Sequence, residues 1–306
     1  MKITKNYIRA TDKHEVYYEI YEPEQPHAHV HIVHGMAEHI GRYEEFARFL
    51  AGKGYVVSGH DQRGHGRTAE RNGVQGFFAE QDGFGRVVED MEQVIKSVQT
   101  QLEKMPLIIL GHSMGSFVVR RYIQLHSESV EKVVLSGTGG NPGAAGKAGL
   151  LLAMAMGKTA GKDVPSPVLG KLTFGSFSKQ FKGEESLFAW LSRDASEVAL
   201  YEADPMSGFV SSNQFYLDLF TGLALIHKNA EVAKIRKDLP MLLISGSHDP
   251  VGGNGKDIFK VAEQYKTAGL EKVSVYLAEE ARHELLHEID RSRHFAVIAD
   301  WMSADD

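Results

Sequence analysis

The stretch LIILGHSMGSFVVRRYIQLH, from Leu107 to His126, constrains the fold more than any other part of the chain. Four apolar residues read as a buried strand, a serine flanked by glycines follows at once, and apolar positions then recur at helical spacing. A strand that becomes a helix within so few residues forces its turn residue into strained backbone angles. It also needs small residues two positions to either side. Gly111 and Gly115 stand there around Ser113, in a G-x-S-x-G pentapeptide. The turn displays a serine oxygen at a helix N-terminus, which makes Ser113 the candidate nucleophile.

The same strand-then-helix rhythm surrounds it. HVHIVHG from His29, YVVSGHD from Tyr55 and VVLSGTGG from Val133 are apolar runs that close on Gly, His or Asp. Between them, Arg42 to Gly54 and Val87 to Lys104 have helical spacing. Alternating units with Val/Ile/Leu-rich strands imply a mostly parallel sheet with helices on both faces. The N-terminal MKITKNYIRATDKHEVYYEIYEP alternates like strands. The rhythm breaks between Asn141 and Lys234 and resumes with PMLLISGSHD from Pro240 and VSVYLA from Val273. The expectation is an α/β core made of residues 1–140 and 235–306, split by a helical cap (lid) at 141–234, with a final helix from about Glu284 to Met302.

A serine hydroxyl attacks only when a base takes its proton and a carboxylate holds that base in the right tautomer. Asp249 follows the strand PMLLIS and His283 follows VSVYLA, so both fall on loops at the sheet edge that carries Ser113. His283 also opens HELLH, which fits the H-E-x-x-H zinc pattern. The extended zinc motif needs a Gly three and a His six residues after its second His, where this chain has Asp290 and Arg293. His287 is expected about one turn into the last helix, in packing or solvent contact, with no metal bound. His27, His29 and His31 would share one strand face, a second metal arrangement that ordinary strand alternation also produces. Asp61, Arg63 and His65 read as loop architecture, and His112 and His248 as neighbours that do not react. Glu38 and Arg42, four apart beyond the His34-Gly35 turn, are spaced to pair and hold it, although a solvated ion pair is the more frequent outcome of such spacing.

Five segments carry a resemblance: HGMAEHIGRY (His34 to Tyr43), GHDQRGHGRT (Gly59 to Thr68), GHSMGS, SGSHDPVG and ARHELLHE. Together they resemble α/β-hydrolases of the monoacylglycerol lipase and lysophospholipase branch, in which nucleophile, acid and histidine come in the order Ser113, Asp249, His283. The resemblance implies the α/β-hydrolase fold and an oxyanion hole made by the backbone N–H groups of Met36 and Met114. It implies a serine carboxylic-ester hydrolase acting through an acyl-enzyme on lipophilic acyl esters, monoacylglycerol first, without a cofactor. Lysophospholipase or general carboxylesterase activity on the same triad is the alternative, and a non-catalytic ligand binder is a further one. The 141–234 segment carries no comparable motif.

A net charge of −6 without a long basic run argues against nucleic acid or an anionic membrane as the main partner and favours a small molecule. The absence of cysteine excludes disulfides, thiolate metal sites and a cysteine nucleophile. The N-terminus reads as mature and cytoplasmic. The most apolar run, GLLLAMAMG from Gly149, falls short of the roughly 20 residues a membrane span requires, so membrane contact is expected only as transient surface contact through the cap.

Overall fold

Alternation within each central strand decides how the layers form, because successive side chains point to opposite faces. Ile109, Val133, Met241 and Leu243 are buried in one apolar cluster, while Ile108, Leu110, Val134, Leu242 and Ile244 are buried in another. The computed structural model of the protein describes residues 1–102, 105–175 and 177–304. Its strands are β1 (Lys2–Arg9), β2 (Glu15–Glu22), β3 (Ala28–Val33), β4 (Tyr55–His60), β5 (Leu107–His112), β6 (Lys132–Ser136), β7 (Met241–Gly246) and β8 (Val273–Ala278). They form one sheet in the order β1-β2-β4-β3-β5-β6-β7-β8, antiparallel at the β1–β2 and β2–β4 pairs and parallel elsewhere. This is the α/β-hydrolase fold.

The core helices are α1 (Glu44–Gly52), α2 (Gly66–Asn72), α3 (Gly83–Gln99) and α4 (Met114–His126). From β6 the chain runs through α5 (Gly143–Thr159), α6 (Pro167–Phe174), α7 (Ala195–Ala203), α8 (Asn213–Ile226) and α9 (Asn229–Val232). It adds no strand to the sheet there among the described residues, and β7 follows. After β7 come α10 (Lys256–Thr267) and α11 (Arg291–Ser303). Phe46 and Leu50 of α1 pack with Phe295 and Ile298 of α11 on one face of the sheet. Val87 and Met91 of α3, Val118 and Ile123 of α4, and Phe215 and Leu219 of α8 share the opposite cluster.

One boundary differs from expectation. The last helix starts at Arg291, not near Glu284, and Leu285–His287 form only a short 3-10 turn. The backbone here is engaged elsewhere: His283 N–H donates to the Trp190 carbonyl at 3.3 Å and Glu284 N–H to that of Leu191 at 2.7 Å. The His287 carbonyl accepts from Ser192 Oγ at 2.8 Å. The backbone also leaves the helical region, with Glu284 at φ −97° and ψ 77° and Glu288 extended at φ −78° and ψ 163°, so the last helix begins only beyond Glu288.

Candidate active site

Ser113 occupies the turn between β5 and α4 at φ 52° and ψ −121°, a region that costs a non-glycine residue strain. The glycines that flank it are required by space. A Cβ on Gly115 would overlap the carbonyl oxygens of Val33 and His34, and one on Gly111 would lie 2.7 Å from the Gly115 carbonyl oxygen. Close packing of α4 on β3 and β5 therefore fixes where the Ser113 side chain emerges. Ser116 Oγ donates to the Ser113 carbonyl at 2.5 Å, and the Ser113 N–H donates to the Ser136 carbonyl at 2.8 Å. Met114 N–H, in the first turn of α4, has no partner within its own helix.

Asp249 follows β7 and His283 follows β8, and the two meet at 2.9 Å from Oδ1 to Nδ1. Both are fully buried. Asp249 Oδ1 also accepts from the Val251 N–H at 2.9 Å, and Oδ2 from Ser245 Oγ at 3.1 Å. Burial alone would raise the Asp249 carboxyl, but His283 and these donors outweigh it and hold it below its usual value. Burial disfavours the charged form of His283. The Asp249 carboxylate, with Glu284 and Glu38 beyond it, overcomes this and raises the imidazole above its usual value. The His283 ring lies 5.1 Å from that of Trp190 and 4.7 Å from that of His112.

The loop after β3 is tied down by several polar contacts. Glu38 accepts from the Gly35 N–H. It also accepts from Tyr43 Oη at 2.8 Å and from Arg42 at 2.7 Å. Arg42 reaches on to Glu284, Nη1 to Oε1 and Nη2 to Oε2, both at 2.7 Å. The Glu38–Arg42 pair is therefore buried and holds the turn, the less frequent of the two outcomes its spacing offered. The Arg42 side chain is 9% exposed, and its guanidinium lies 4.8 Å from the centre of the Tyr201 ring. The carbonyl of Ala37 accepts from Tyr201 Oη and from the Gly208 N–H, each at 2.9 Å. His34 Nε2 accepts from the Gln62 N–H at 3.0 Å, so its proton sits on Nδ1, which donates to the Gly35 carbonyl at 2.8 Å. That carbonyl belongs to the peptide whose N–H is Met36's. In a trans peptide the two groups point opposite ways, so anchoring one orients the other.

Ser113, His283, Met36, Trp190, Leu191 and Tyr216 line one cavity of about 510 Å³ between the sheet edge and the segment from α6 to α8. Thus the three residues singled out for nucleophile, acid and base converge on one site, with Met36 and Met114 beside Ser113. Trp190, Tyr201, Ser245 and the Arg42–Glu284 pair were not anticipated. Arg42 had a signal only toward Glu38, through their i,i+4 spacing, and Glu284 only as the second residue of HELLH, where it suggested a different chemistry.

Buried contacts account for most of the other histidines singled out from the sequence. His287 is buried, and its Nε2 donates to the Arg42 carbonyl at 3.0 Å. His29 and His31 both contact Ser58 Oγ, at 2.6 and 2.7 Å, and His31 reaches His60 at 3.0 Å. His27 is exposed outside the strand and does not join them. Among the described residues no group of three or more His, Asp and Glu is placed to hold a metal ion. Asp61 ties two loops together, accepting from the N–H groups of Ile40 at 2.8 Å and Arg67 at 2.7 Å, while Arg63 pairs with Asp90 and Asp12. His112 is buried and pushed down to about 4, chiefly by burial, whereas His248 is exposed. Among the described residues no helix is long and apolar enough to cross a membrane.

The family model described as serine aminopeptidase S33 (Hydrolase_4) matches residues 24–290. A monoacylglycerol lipase of Mycolicibacterium smegmatis is 28% identical over 253 residues, 81% of each chain. A monoglyceride lipase of Mus musculus is 30% identical over 233 residues, 73% of this chain and 66% of the mouse protein. A thermostable carboxyl esterase from Bacillus coagulans, solved with glycerol, superposes with a TM-score of 0.92 at 24% identity, covering 99% of this chain and 98% of its own. The soluble variant of Saccharomyces cerevisiae monoglyceride lipase, bound to a substrate analogue, superposes at 0.75 with 20% identity, covering 97% of this chain and 94% of the yeast protein. The last two likenesses concern the fold, and the matched model and relatives concern descent. The chain belongs to this α/β-hydrolase family and is a serine ester hydrolase of the monoglyceride lipase type.

Proposed function

We propose that the protein hydrolyses lipophilic carboxylic esters, monoacylglycerol first among them, through an acyl-enzyme on Ser113. His283 takes the proton of Ser113 as its oxygen attacks the ester carbonyl, and Asp249 holds the imidazole in the required tautomer. The N–H groups of Met36 and Met114 receive the negative charge on the carbonyl oxygen. Collapse expels the alcohol, which leaves with the proton from His283, and water then releases the fatty acid by the same steps. Residues 141–234 act as a cap over the acyl chain. The mycobacterial and mouse relatives are named as lipases of this substrate.

The observation that carries the reading is the buried Asp249–His283 pair opening, with the strained Ser113, into one cavity walled by Trp190, Leu191 and Tyr216. An apolar cavity rewards a lengthening acyl chain by about 0.8 kcal/mol per buried CH₂. Turnover of glycerol, choline and p-nitrophenyl esters of graded chain length tests it. kcat/KM should rise from acetyl toward decanoyl, with glycerol esters the best alcohol. Equal kcat/KM for acetyl and decanoyl glycerol would contradict an acyl site, and a preference for choline-bearing lysophospholipid would move the assignment to that substrate.

A further inference from the structure

Tyr216, on α8, is 1% exposed, yet among the described residues its Oη has no hydrogen-bond partner. Burial alone pushes its phenol above the ordinary value, with no hydrogen bond contributing. The buried tyrosines beside it in the site differ: Tyr43 Oη donates to Glu38 at 2.8 Å and Tyr201 Oη to the Ala37 carbonyl at 2.9 Å. The Tyr216 ring packs near Phe215 and Phe220, with centres 5.6 and 6.5 Å away, in the apolar cluster that also holds Leu169 and Leu219. Its hydroxyl emerges at Gly170 of α6, and both residues line the cavity that holds Ser113. Glycine inside a helix is a weak choice that the backbone of α6 does not require. The nearest contact a Cβ on Gly170 would make is Tyr216 Oη, at 3.2 Å. The missing side chain leaves room beside that hydroxyl.

We propose that Tyr216 Oη holds an oxygen carried by the acyl chain, so that the enzyme selects esters of hydroxy- or oxo-acids over those of plain fatty acids, a selectivity that rests on the ester-hydrolase reading. A buried hydroxyl without a partner is disfavoured. A ligand oxygen that reaches it makes a hydrogen bond and also removes that penalty. Pro167, Gly170, Phe209 and Val210 line the same cavity without a polar side-chain atom, so one donor decides where a polar substituent is accepted. The leaving alcohol lies elsewhere. It takes its proton from His283, whose ring neighbours are Trp190 and His112, and the next residue, Glu284, also lines the cavity there. Leu285 and Leu286, which follow, belong to the other apolar cluster from Tyr216. The part of the cavity at Tyr216 is left to the acyl chain.

Hydrolysis of decanoyl glycerol and of hydroxydecanoyl glycerols, with the hydroxyl moved stepwise along the chain, tests this, with kcat/KM read from release of the acid. In the wild type one hydroxyl position should be favoured over the plain chain by about fivefold or more, and the other positions disfavoured. Tyr216→Phe should reverse that preference, because the hydroxyl then enters an apolar wall. Gly170→Ala crowds the same oxygen without removing it and should shrink the preference. Each pair of esters is compared within one variant, so a general loss of activity cancels, and thermal midpoints report folding separately. Turnover of decanoyl glycerol with the hydroxyl disfavoured at every position would overturn the inference and leave the ester reading standing. A preference that survives Tyr216→Phe would overturn it as well. So would a Tyr216→Phe variant that loses instead its discrimination between glycerol and methyl esters, which would put the hydroxyl on the alcohol. Failure to hydrolyse any of these esters would remove the ester reading itself.

Discussion

Arg42 and Glu284, 242 positions apart, face each other as a two-pronged ion pair with both N···O distances at 2.7 Å. Through Glu38, the same arginine ties the loop that carries Met36 to the loop that carries His283. Glu284 is held well below the usual carboxylate range because, although burial pushes it up, the Arg42 guanidinium more than offsets that. Arg42→Gln leaves two buried carboxylates facing each other and should destabilise the fold by about 3 to 5 kcal/mol, measured by urea denaturation. Arg42→Lys keeps the charge without the fork and should fall between. A loss under about 0.5 kcal/mol for Arg42→Gln would mean that the pair holds nothing.

His34 is expected to act through the Gly35–Met36 peptide. His34→Ala should lower kcat by about 10- to 100-fold with little change in KM, because the donor it aims is the one proposed to serve the transition state. Affinity for a trifluoromethyl ketone should fall in parallel. Asn at this position offers an N–H donor to the same carbonyl and should restore part of kcat. A change confined to KM would count against an orienting role.

The two histidines of HELLH should separate cleanly. His283→Ala should lose about 10⁴-fold in kcat, while His287→Ala, whose ring donates to the Arg42 carbonyl, should keep most activity, and chelators should have no effect. His283 must be neutral to accept the serine proton, and Asp249 raises it. The acid limb of kcat/KM should therefore lie above the ordinary imidazole value near 6.5 and shift down in Asp249→Asn. Equal losses in both alanine variants would point back to a shared role.

Acid should begin to destabilise the fold well above the ordinary carboxylate range near 4. His29 and His60 are lowered by burial to about 3, and His65 and His112 to about 4. Each is neutral when folded but protonates near 6.5 when unfolded, so the stability they confer is fully present above pH 6.5 and is lost as pH falls toward 3 or 4. Each buried histidine subtracts up to about 2 kcal/mol between pH 6.5 and 5. The urea midpoint should drop steeply over that interval. Replacing His29 by Gln, which can still meet Ser58, should flatten the slope, and an unchanged slope would contradict this origin.

The parts of this molecule that could be read from sequence are those set by local crowding or alternation. The glycines around Ser113 follow from the closeness of a strand and the helix after it, and the strands are legible as runs of branched apolar residues between turn residues. The start of α11 was not, because His283 and Glu284 donate their N–H groups to Trp190 and Leu191, about 90 positions earlier, the chain runs extended at Glu288 before it turns helical, and helical spacing carries no trace of such partners. Spacing likewise suggested that Glu38 and Arg42 could pair, but their burial depends on Glu284 and Tyr201, which come from other parts of the chain.

The central claim is that Ser113 is the nucleophile, and reaction with a fluorophosphonate followed by peptide mass mapping tests it most directly. One adduct per chain is expected, on Ser113, formed in step with the loss of esterase activity and absent from Ser113→Ala. An active enzyme that remains unlabelled at Ser113, or an inactivating adduct on another residue such as Ser247, would contradict it.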